Sequence, residues 1–237
     1  MNQVEVCLTP ELIHQHDLSG KIAVVVDIFR ATSCMVTGMA HGVQSIHPVA
    51  TVEECLQLGA KGMVTAGERG GIKVEGFTIG NSPYEYMREE FQKQSIAVTT
   101  TNGTRTILAS EGAKEIIIGA FLNLSAVARH IQQKNSDVLI HCAGWKGTVN
   151  IEDTLYAGAL IAELSGTHAH TGDAALLAHE LFRANQTDLM KIANNSAHAA
   201  RLAGFGVAKD LELCMQQSKF DVVPIYENGE ITSLTQK

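Results

Sequence analysis

The sequence predicts an α/β protein with three layers, in which helices cover both faces of a largely parallel sheet. Short apolar runs of strand length alternate along the chain with longer helical patterns, which is the order that βα units produce. The run at 21–27 (KIAVVVD) is continuously apolar and ends in an aspartate, as expected for a strand buried on both faces. The 237 residues suffice for a sizeable core, arranged as one large domain or as two similar α/β lobes with a joint near 119–135.

The predicted elements follow one another in a regular order. After the strand at 21–27 we expect a helix from Ala31 to about His41. The next expected elements are strands or helices at 45–50, 51–60, 62–66, 96–100, 115–119, 137–143 and 151–164, of which 51–60 and 151–164 are the helices. Ser82, Pro83 and Glu85 have the spacing of a helix start, with a cap, a first-turn proline and an acid. The stretch 172–218 is mostly helical, and Asn228-Gly229 between apolar segments predicts a hairpin.

The charge balance restricts the partners. The chain has 18 Lys and Arg against 25 Asp and Glu, a formal charge of −7, and this acidic balance argues against nucleic acid because such binding needs a basic face. A hydrophobic fraction of 45% also excludes an intrinsically disordered chain. A small anionic substrate stays compatible, since it needs only a few well-placed cations.

The sequence also favours a cytoplasmic protein. It contains no apolar run of about 18 residues that would span a membrane, and its N-terminus lacks the basic and apolar regions of a signal peptide. Five scattered cysteines form no CxxC pair and are expected to be reduced thiols. The Ala-rich C-terminal helices offer a surface for a homo-oligomer.

Unusual residues cluster where predicted strands end, which is where ligands bind in parallel α/β sheets. The first cluster is Asp27 to Ser33, with Arg30 and Thr32. A carboxylate there can hold a hard cation, while an arginine and free helix N–H groups can hold an oxyanion. The alternative is that Asp27 caps a helix and that Arg30 makes a surface ion pair.

Two further clusters are rich in glycine and hydroxyl groups. In the loop 67–73, three glycines allow a ligand to approach the backbone, and Arg69 and Lys73 add positive charge; the alternative is a solvated turn. The segment 99–105 supplies hydroxyl and amide donors at the start of a helix, with capping as the alternative. The weaker segment 80–83, which contains Asn81, is explained by capping alone. None of these loops matches a nucleotide-binding glycine motif.

The fourth cluster runs from His141 to Thr148. Cysteine phosphatases use H-C-x5-R, and here Thr148 stands in the arginine position, so we do not expect Cys142 to be a nucleophile. Glu152 and Asp153 follow at the start of a predicted helix. They are either metal ligands or a general base, or they only complement the helix dipole.

Two other comparisons fail. Haloacid-dehalogenase phosphatases need a second aspartate two residues after the first, and Phe29 stands at that position after Asp27. The His168-Ala169-His170 segment is expected to be an exposed loop between helices rather than a metal site. The short pattern A-G-x-(R/K)-G occurs twice, at 66–70 and 143–147. This repeat suggests that two similar units each present a cation on a glycine loop.

Taken together, the motifs resemble the 2-phosphosulfolactate phosphatase (ComB-like) family along essentially the whole chain. The resemblance is carried by segments in register, namely 27–32 (DIFRAT), 66–71 (AGERGG), 80–83 (GNSP), 100–104 (TTNGT), 142–144 (CAG), 152–154 (EDT), 196–198 (SAH), 210–211 (DL), Cys214 and 223–224 (VP). One departure is Ala199, where a glycine often follows the histidine. The family implies a single catalytic unit over 1–237 that hydrolyses 2-phospho-3-sulfolactate to 3-sulfolactate and phosphate with Mg²⁺, a step of coenzyme M biosynthesis.

The resemblance also implies roles for individual residues. The residues expected to be catalytic are Asp27, Arg30, Glu68, Arg69, Glu152 and Asp153. The four carboxylates of that set, Asp27, Glu68, Glu152 and Asp153, are the expected magnesium ligands. The residues expected to bind substrate are Thr32, Lys73, Asn81, Thr101, Asn102, Gly103, Thr104, Arg105, Cys142, Gly144 and His198.

The mechanism and the substrate stay open at this point. We expect direct attack by water at a metal-bound phosphate, with a covalent aspartyl-phosphate at Asp27 as the rival. Another small phosphorylated carboxylate or sulfonate is the alternative substrate. A non-catalytic anion-binding α/β protein, which would need no metal, is the alternative function.

Overall fold

The strands form one eleven-stranded sheet in a computed structural model that describes residues 1–234. The strands are β1 (Asn2–Cys7), β2 (Ile22–Val26), β3 (Ser45–Pro48), β4 (Val64–Arg69), β5 (Ile72–Lys73), β6 (Ser95–Thr99), β7 (Glu115–Gly119), β8 (Val138–Cys142), β9 (His168–His170), β10 (Val223–Glu227) and β11 (Glu230–Leu234). Their order across the sheet is β5-β4-β6-β3-β11-β10-β7-β2-β8-β1-β9.

The sheet consists of two parallel groups joined by the C-terminal hairpin. The strands β4, β6 and β3 are parallel to one another, as are β7, β2, β8, β1 and β9. Between the groups, β10 and β11 pair with each other and with β7 and β3, always antiparallel. Asn228 and Gly229 both have positive φ, which is the turn geometry that Asn-Gly favours. The hairpin predicted from the sequence is therefore the element that joins the two groups.

The twist of the sheet explains how strands from both groups reach one site. Three antiparallel pairings separate β3 from β7, so the two groups run in opposite senses at the hairpin. Five strand steps lie between β6 and β2, and at roughly 20–25° per step they accumulate about 100° or more of rotation. The ends of these strands then meet: a Cβ at Gly103, after β6, would lie 2.6 Å from the Cβ of Ala31, after β2.

Helices cover both sides of the sheet, as the sequence predicts. They are α1 (Ala31–Ala40), α2 (Val52–Gly59), α3 (Pro83–Tyr86), α4 (Gly103–Ala109), α5 (Leu124–Lys134), α6 (Ile151–Leu164), α7 (Asp173–Asn185), α8 (Leu189–Asn194), α9 (Ala197–Ala203) and α10 (Ala208–Cys214). Residues 31–39 of α1 are all buried, and the hydroxyls of Ser33 and Thr37 donate to the backbone carbonyls of Ile28 and Ser33. The predicted joint near 119–135 falls on the end of β7 and on α5, and the two-lobe division stays a prediction.

The structure confirms the predicted buried strand at 21–27 and corrects the prediction at β1 and at the His168 segment. All five residues of β2 are buried, since the strand lies between β7 and β8 with helices on both faces. The sequence reading missed β1, whose alternating pattern is short. The segment at His168 is an edge strand beside β1 rather than a loop, with His168 buried and its Nε2 3.1 Å from the carbonyl of Ser136. No helix within the described residues is long and apolar enough to cross a membrane.

Candidate functional site

A cleft at the strand ends collects most of the chemically useful side chains, and we call it the central pocket. Its walls come from the β2–α1 loop, the β4–β5 hairpin, the loops before α3 and α4, the loop after β8, and α9. The residues that line it are Asp27, Phe29, Arg30, Glu68, Gly70, Gly71, Asn81, Asn102, Trp145, His198, Arg201 and Leu202.

Asp27 follows directly after β2 and is fixed by the first turn of α1. Its backbone N–H donates to Thr32 Oγ1 at 3.0 Å, and its carbonyl accepts from the Thr32 N–H at 3.0 Å. Its Oδ1 accepts from the Ala31 N–H at 3.4 Å. Gly103 gives the carboxylate room, because a Cβ there would lie 2.9 Å from Oδ2. Thr32 and Gly103 therefore hold and accommodate Asp27 rather than line the pocket.

The environment of Asp27 favours its protonated form. Burial raises the pKa of Asp27 to about 6, and the negative charges of Glu68 and Glu152 act in the same direction. The charge of His198 opposes this shift. A cation in the pocket would reverse the balance, because it would stabilise the ionised carboxylate.

Arg30 is a buried cation held by the C-terminal helices. Its side chain is 6% exposed, and Nη1 donates to Asp210 Oδ2. The other oxygen of Asp210 accepts from Ser82 Oγ at 2.9 Å. Asp210 belongs to α10, so this helix fixes the guanidinium in the pocket wall beside Asp27.

Glu68 and Arg69 are neighbours on β4 that face opposite ways. Glu68 lines the central pocket, where its Oε1 accepts from the Thr101 N–H at 2.7 Å and its Oε2 from the Gly71 N–H at 2.6 Å. Arg69 donates from Nη1 to the carbonyl of Glu68 at 2.8 Å and from Nη2 to Thr99 Oγ1 at 2.9 Å. Successive strand residues point to opposite faces, so only one of the two reaches the central pocket.

Glu152 and Asp153 lie beneath the central pocket, at the start of α6. Asp153 Oδ1 accepts from the Ile28 N–H at 2.9 Å, and Oδ2 accepts from the Gly144 N–H at 3.1 Å, so this side chain ties the β2 and β8 loops together. Burial and the charges of Glu152 and Asp27 raise the pKa of Asp153. Gly144 takes part through its backbone N–H, which donates to Asp153, and its φ is positive at 53°.

His198 connects the buried acid to the pocket. Its Nδ1 lies 2.5 Å from Glu152 Oε1, and the side-chain amide of Asn150 is 3.2 Å from the same nitrogen. Glu152 is fully buried, and its Oε2 has no hydrogen-bond partner among residues 1–234. Because Nδ1 contacts Glu152 and Asn150, Nε2 is the ring nitrogen of His198 that can meet a ligand in the pocket.

Several residues that the sequence assigned to the same site lie in a second cavity, which we call the arginine groove. It is lined by Ala50, Arg69, Thr100, Thr101, Thr104, Arg105 and Leu108. Arg105 is exposed there and donates to Glu11 Oε1 at 2.6 Å. Lys73 lines neither cavity; it pairs with Glu68 through the β4–β5 hairpin and its side chain is exposed. The structure thus does not bring Arg69, Lys73 and Arg105 together with Arg30.

Cys142 lies inside the sheet rather than in the pocket. It is fully buried at the end of β8, and burial raises the pKa of its thiol well above the ordinary value. A thiol in that state is a poor nucleophile. The sequence had already dismissed Cys142 as a nucleophile but had placed it among the substrate-binding residues, and no atom of it lines the pocket.

Four side chains of the central pocket are not among the residues predicted from the sequence. Phe29, Trp145, Arg201 and Leu202 line the pocket, and the sequence analysis assigned none of them to the site. Arg201 places its guanidinium carbon 4.0 Å from the centroid of the Trp145 ring. The available signal was the spacing of His198 and Arg201, three residues apart and therefore on one helix face. In the echoed motif, the third residues Glu68 and Trp145 reach the pocket rather than the cations that follow them.

The pocket fits a magnesium ion with few protein ligands. No three His, Cys, Asp or Glu side chains within residues 1–234 group as a ready-made cage, so the four predicted carboxylates do not form one ligand set. Mg²⁺ is commonly held by one or two carboxylates, with waters and substrate phosphate completing the shell. Asp27 and Glu68 both line the pocket, and the charge of Glu68 helps to raise the pKa of Asp27, an effect that a divalent cation would oppose.

Comparison with known proteins gives one consistent result. A family described as 2-phosphosulpholactate phosphatase matches residues 7–229. A relative from Caldanaerobacter subterraneus subsp. tengcongensis, named probable 2-phosphosulfolactate phosphatase, is 38% identical over 222 residues, covering 92% of both chains. Relatives of the same name from Thermotoga petrophila and Clostridium acetobutylicum are 40% and 36% identical, covering 88% and 97% of this chain and 90% and 99% of their own.

Proposed function

The chain belongs to the 2-phosphosulpholactate phosphatase family of phosphoric monoester hydrolases, and we propose that it hydrolyses 2-phospho-3-sulfolactate to 3-sulfolactate and phosphate with bound Mg²⁺. The observation that carries the proposal is the central pocket, which places Asp27 and Glu68 beside Arg30. Such a reaction would be the phosphate-releasing step of a coenzyme M type of biosynthesis. All five cysteines are free and buried, which suits a reducing compartment such as the cytosol.

The charges of the pocket support a phosphomonoester with further acid groups. The substrate carries a phosphate, a sulfonate and a carboxylate, so it needs cations and N–H donors. Arg30 and Arg201 line the pocket, and an arginine fork matches the geometry of such oxyanions. Asn81 and Asn102 add amide groups, and the Asn81 Oδ1 is buried without a hydrogen-bond partner among the described residues.

Asp27 and Glu68 are the residues that would hold the magnesium ion. When bound there, Mg²⁺ would supply a Lewis acid for a phosphate oxygen. Glu152 and Asp153 would support the pocket without holding the metal. Asp153 fixes the loops after β2 and β8 through their backbone N–H groups, and Glu152 orients His198. This division assigns the four predicted carboxylates to two different tasks.

The reaction needs charge neutralisation and a proton for the leaving oxygen. Water attacks phosphorus, the bond between phosphorus and the ester oxygen breaks, and Arg30 stabilises the charge that develops on the phosphoryl oxygens. His198 Nε2 donates a proton to the departing sulfolactate oxygen, while Glu152 stabilises the imidazolium through Nδ1. One proton of the water stays on the phosphate, and the other returns to His198. The products are 3-sulfolactate and hydrogen phosphate.

A covalent aspartyl-phosphate at Asp27 is the alternative route. Borohydride treatment during turnover, followed by mass spectrometry of the peptide that contains Asp27, separates the two mechanisms, because borohydride reduces an acyl phosphate to an alcohol and leaves a free carboxylate unchanged. Direct attack by water leaves the mass of this peptide unchanged. Reduction of the Asp27 side chain to an alcohol would establish the covalent route instead.

The function is tested by phosphate release from a panel of phosphomonoesters, first with Mg²⁺ and then with a chelator. The panel contains 2-phospho-3-sulfolactate, 2-phospholactate, O-phosphoisethionate and a phosphosugar. We expect magnesium-dependent release with phosphosulfolactate as the preferred substrate, and Cys142→Ser should retain this activity because the thiol is buried outside the pocket. Release from none of the panel would instead favour a non-catalytic anion-binding protein.

A further inference from the structure

Arg201 is a cation of the central pocket with no salt-bridge partner among residues 1–234. We propose that Arg201 binds the acid group of the substrate that is not transferred, a sulfonate or a carboxylate, and thereby sets the enzyme's preference for phosphorylated acids. This inference rests on the proposed function, because it concerns the same pocket. It gives Arg201 the task that the sequence had assigned to Lys73 and Arg105.

The guanidinium is held in place by an aromatic ring rather than by an acid. Its carbon lies 4.0 Å from the centroid of Trp145, on the loop after β8, where a cation is attracted to the ring face. The ring of Trp145 in turn lies 5.8 Å from that of His198, centroid to centroid. Stacking leaves the edges of the planar guanidinium available, and these edges carry its N–H donors.

One of those donors lacks a partner. Nη2 of Arg201 is buried, and no residue of the described chain accepts a hydrogen bond from it. A buried N–H group without an acceptor is costly, and the loss is recovered when a ligand supplies one. Partial burial also lowers the pKa of Arg201, against the opposing charge of Glu152. The side chain is therefore prepared for an anion that the protein does not provide.

Its position assigns this anion to the far end of the substrate. Arg30 is three residues from Asp27 in the β2–α1 loop and is already paired with Asp210. Arg201 lies on a different wall, on α9, next to Leu202, whose Cδ2 would lie 3.5 Å from a Cβ at Gly71 in the β4–β5 hairpin. With the phosphoryl group beside Asp27 and Arg30, the second arginine faces the remainder of a small molecule. That remainder, in a phosphosulfolactate, carries the sulfonate and the carboxylate.

Lys146 provides a matched control on the same indole. Its Nζ lies 5.5 Å from the Trp145 centroid, yet the side chain is exposed and does not line the pocket. Lys146→Met and Arg201→Met therefore each remove one cation from the ring, but only the second removes a cation from the pocket. Methionine keeps an unbranched chain of similar length in both cases.

The test is calorimetric titration of the Mg²⁺-loaded protein with each product separately. For Arg201→Met we expect the Kd of 3-sulfolactate to rise about 10- to 100-fold, the loss of a charged hydrogen bond, and the Kd of inorganic phosphate to change less than about twofold. Lys146→Met should leave both constants unchanged. Titration with lactate, which lacks the sulfonate, and with isethionate, which lacks the carboxylate, identifies the acid group that Arg201 holds.

Other outcomes would overturn the inference. They are an equal or larger loss for phosphate than for sulfolactate in Arg201→Met, the same loss in Lys146→Met, and failure of the wild-type protein to bind sulfolactate. Arg201→Lys, which keeps the charge and loses the fork, repeats the test if the methionine variant unfolds below the assay temperature, and a smaller, still selective loss is expected. Turnover of the phosphomonoester panel by the wild-type protein tests the proposed function independently of these titrations.

Discussion

The central pocket and the arginine groove are both built at strand ends, yet they hold their arginines in opposite ways. Arg30 in the central pocket has a side chain that is 6% exposed and is fixed by Asp210. Arg105 in the groove is 55% exposed and meets Glu11 at the surface. Water and salt screen the exposed charge, whereas the buried one keeps its field and its direction. A basic residue in a glycine-rich or threonine-rich loop is therefore a weak indicator of function until its burial is known.

The two cavities also differ in their acids. Asp27 and Glu68 line the central pocket, with Glu152 and Asp153 buried beneath it, while no carboxylate lines the arginine groove among the described residues. A metal-assisted reaction on a phosphate needs carboxylates for the metal and cations for the phosphate. Only the central pocket, of the two cavities, offers both. The following predictions are ordered by the size of the expected effect.

The largest expected effect is that of Asp27→Asn on phosphate release. Removing the charge from the Asp27 carboxylate, which lines the central pocket with Arg30, should lower kcat/KM with phosphosulfolactate about 10³-fold or more, because a group at the reacting centre is lost. The measurement is steady-state phosphate release at saturating Mg²⁺. Asp17→Asn, an exposed aspartate in the turn before β2, should change the rate by less than about twofold. A similar loss in both variants would contradict a special role for Asp27.

The second prediction compares arginines of the two cavities. Arg30→Met should lower kcat about 10²-fold, since a preorganised cation at the phosphoryl group is removed. The double variant Arg69→Met/Arg105→Met should retain activity within about threefold, because neither side chain lines the central pocket. If the groove variant loses as much activity as Arg30→Met, the substrate occupies the arginine groove and the comparison fails.

The third prediction concerns stability without metal. The pKa of Asp27 is raised to about 6 in the folded protein against 3.8 in the unfolded chain, so the folded state binds this proton more tightly. The contribution to the free energy of unfolding is complete below pH 4 and is lost as the pH rises through 6. In a chelator at pH 7.5, Asp27→Asn should therefore increase the free energy of unfolding by about 1–3 kcal/mol.

Urea denaturation at two pH values measures this effect. The gain should disappear near pH 4, where the wild-type carboxyl is protonated and resembles the amide. A gain of the same size at both pH values would assign it to packing rather than to charge. The variant would then be more stable and inactive, the trade-off expected when an active site stores unfavourable electrostatics.

The smallest effect is expected for Asp210, which acts through Arg30. Asp210→Asn should lower kcat about tenfold, because it loosens the guanidinium without removing it. Combined with Arg30→Met it should add almost nothing, since both changes disrupt one interaction. A double-mutant cycle on kcat checks this, with unfolding midpoints recorded for each variant. Additive losses would show that Asp210 contributes independently of Arg30.

The loop motifs led to several residues of the central pocket but did not show which of the neighbouring basic residues reach it. Six residues predicted from short motifs line the central pocket, namely Asp27, Arg30, Glu68, Asn81, Asn102 and His198. Arg69, Lys73 and Arg105 were chosen by the same argument and lie elsewhere. Glu68 and Arg69 are adjacent on β4 and face opposite sides, and Arg105 lies on the exposed face of α4. Proximity in a loop therefore does not determine which cavity a side chain enters.

The amino-acid sequence alone determined the fold class, the main strands and helices, and the family. These features depend on local periodicity and on motifs of a few residues, both of which are visible in the chain. Only the tertiary structure decided that the C-terminal hairpin joins two parallel strand groups, that α9 lines the pocket while α10 anchors Arg30, and that Arg201 stacks on Trp145. Those contacts join residues far apart in the chain, and they arise from sheet twist and helix packing, which no local pattern encodes.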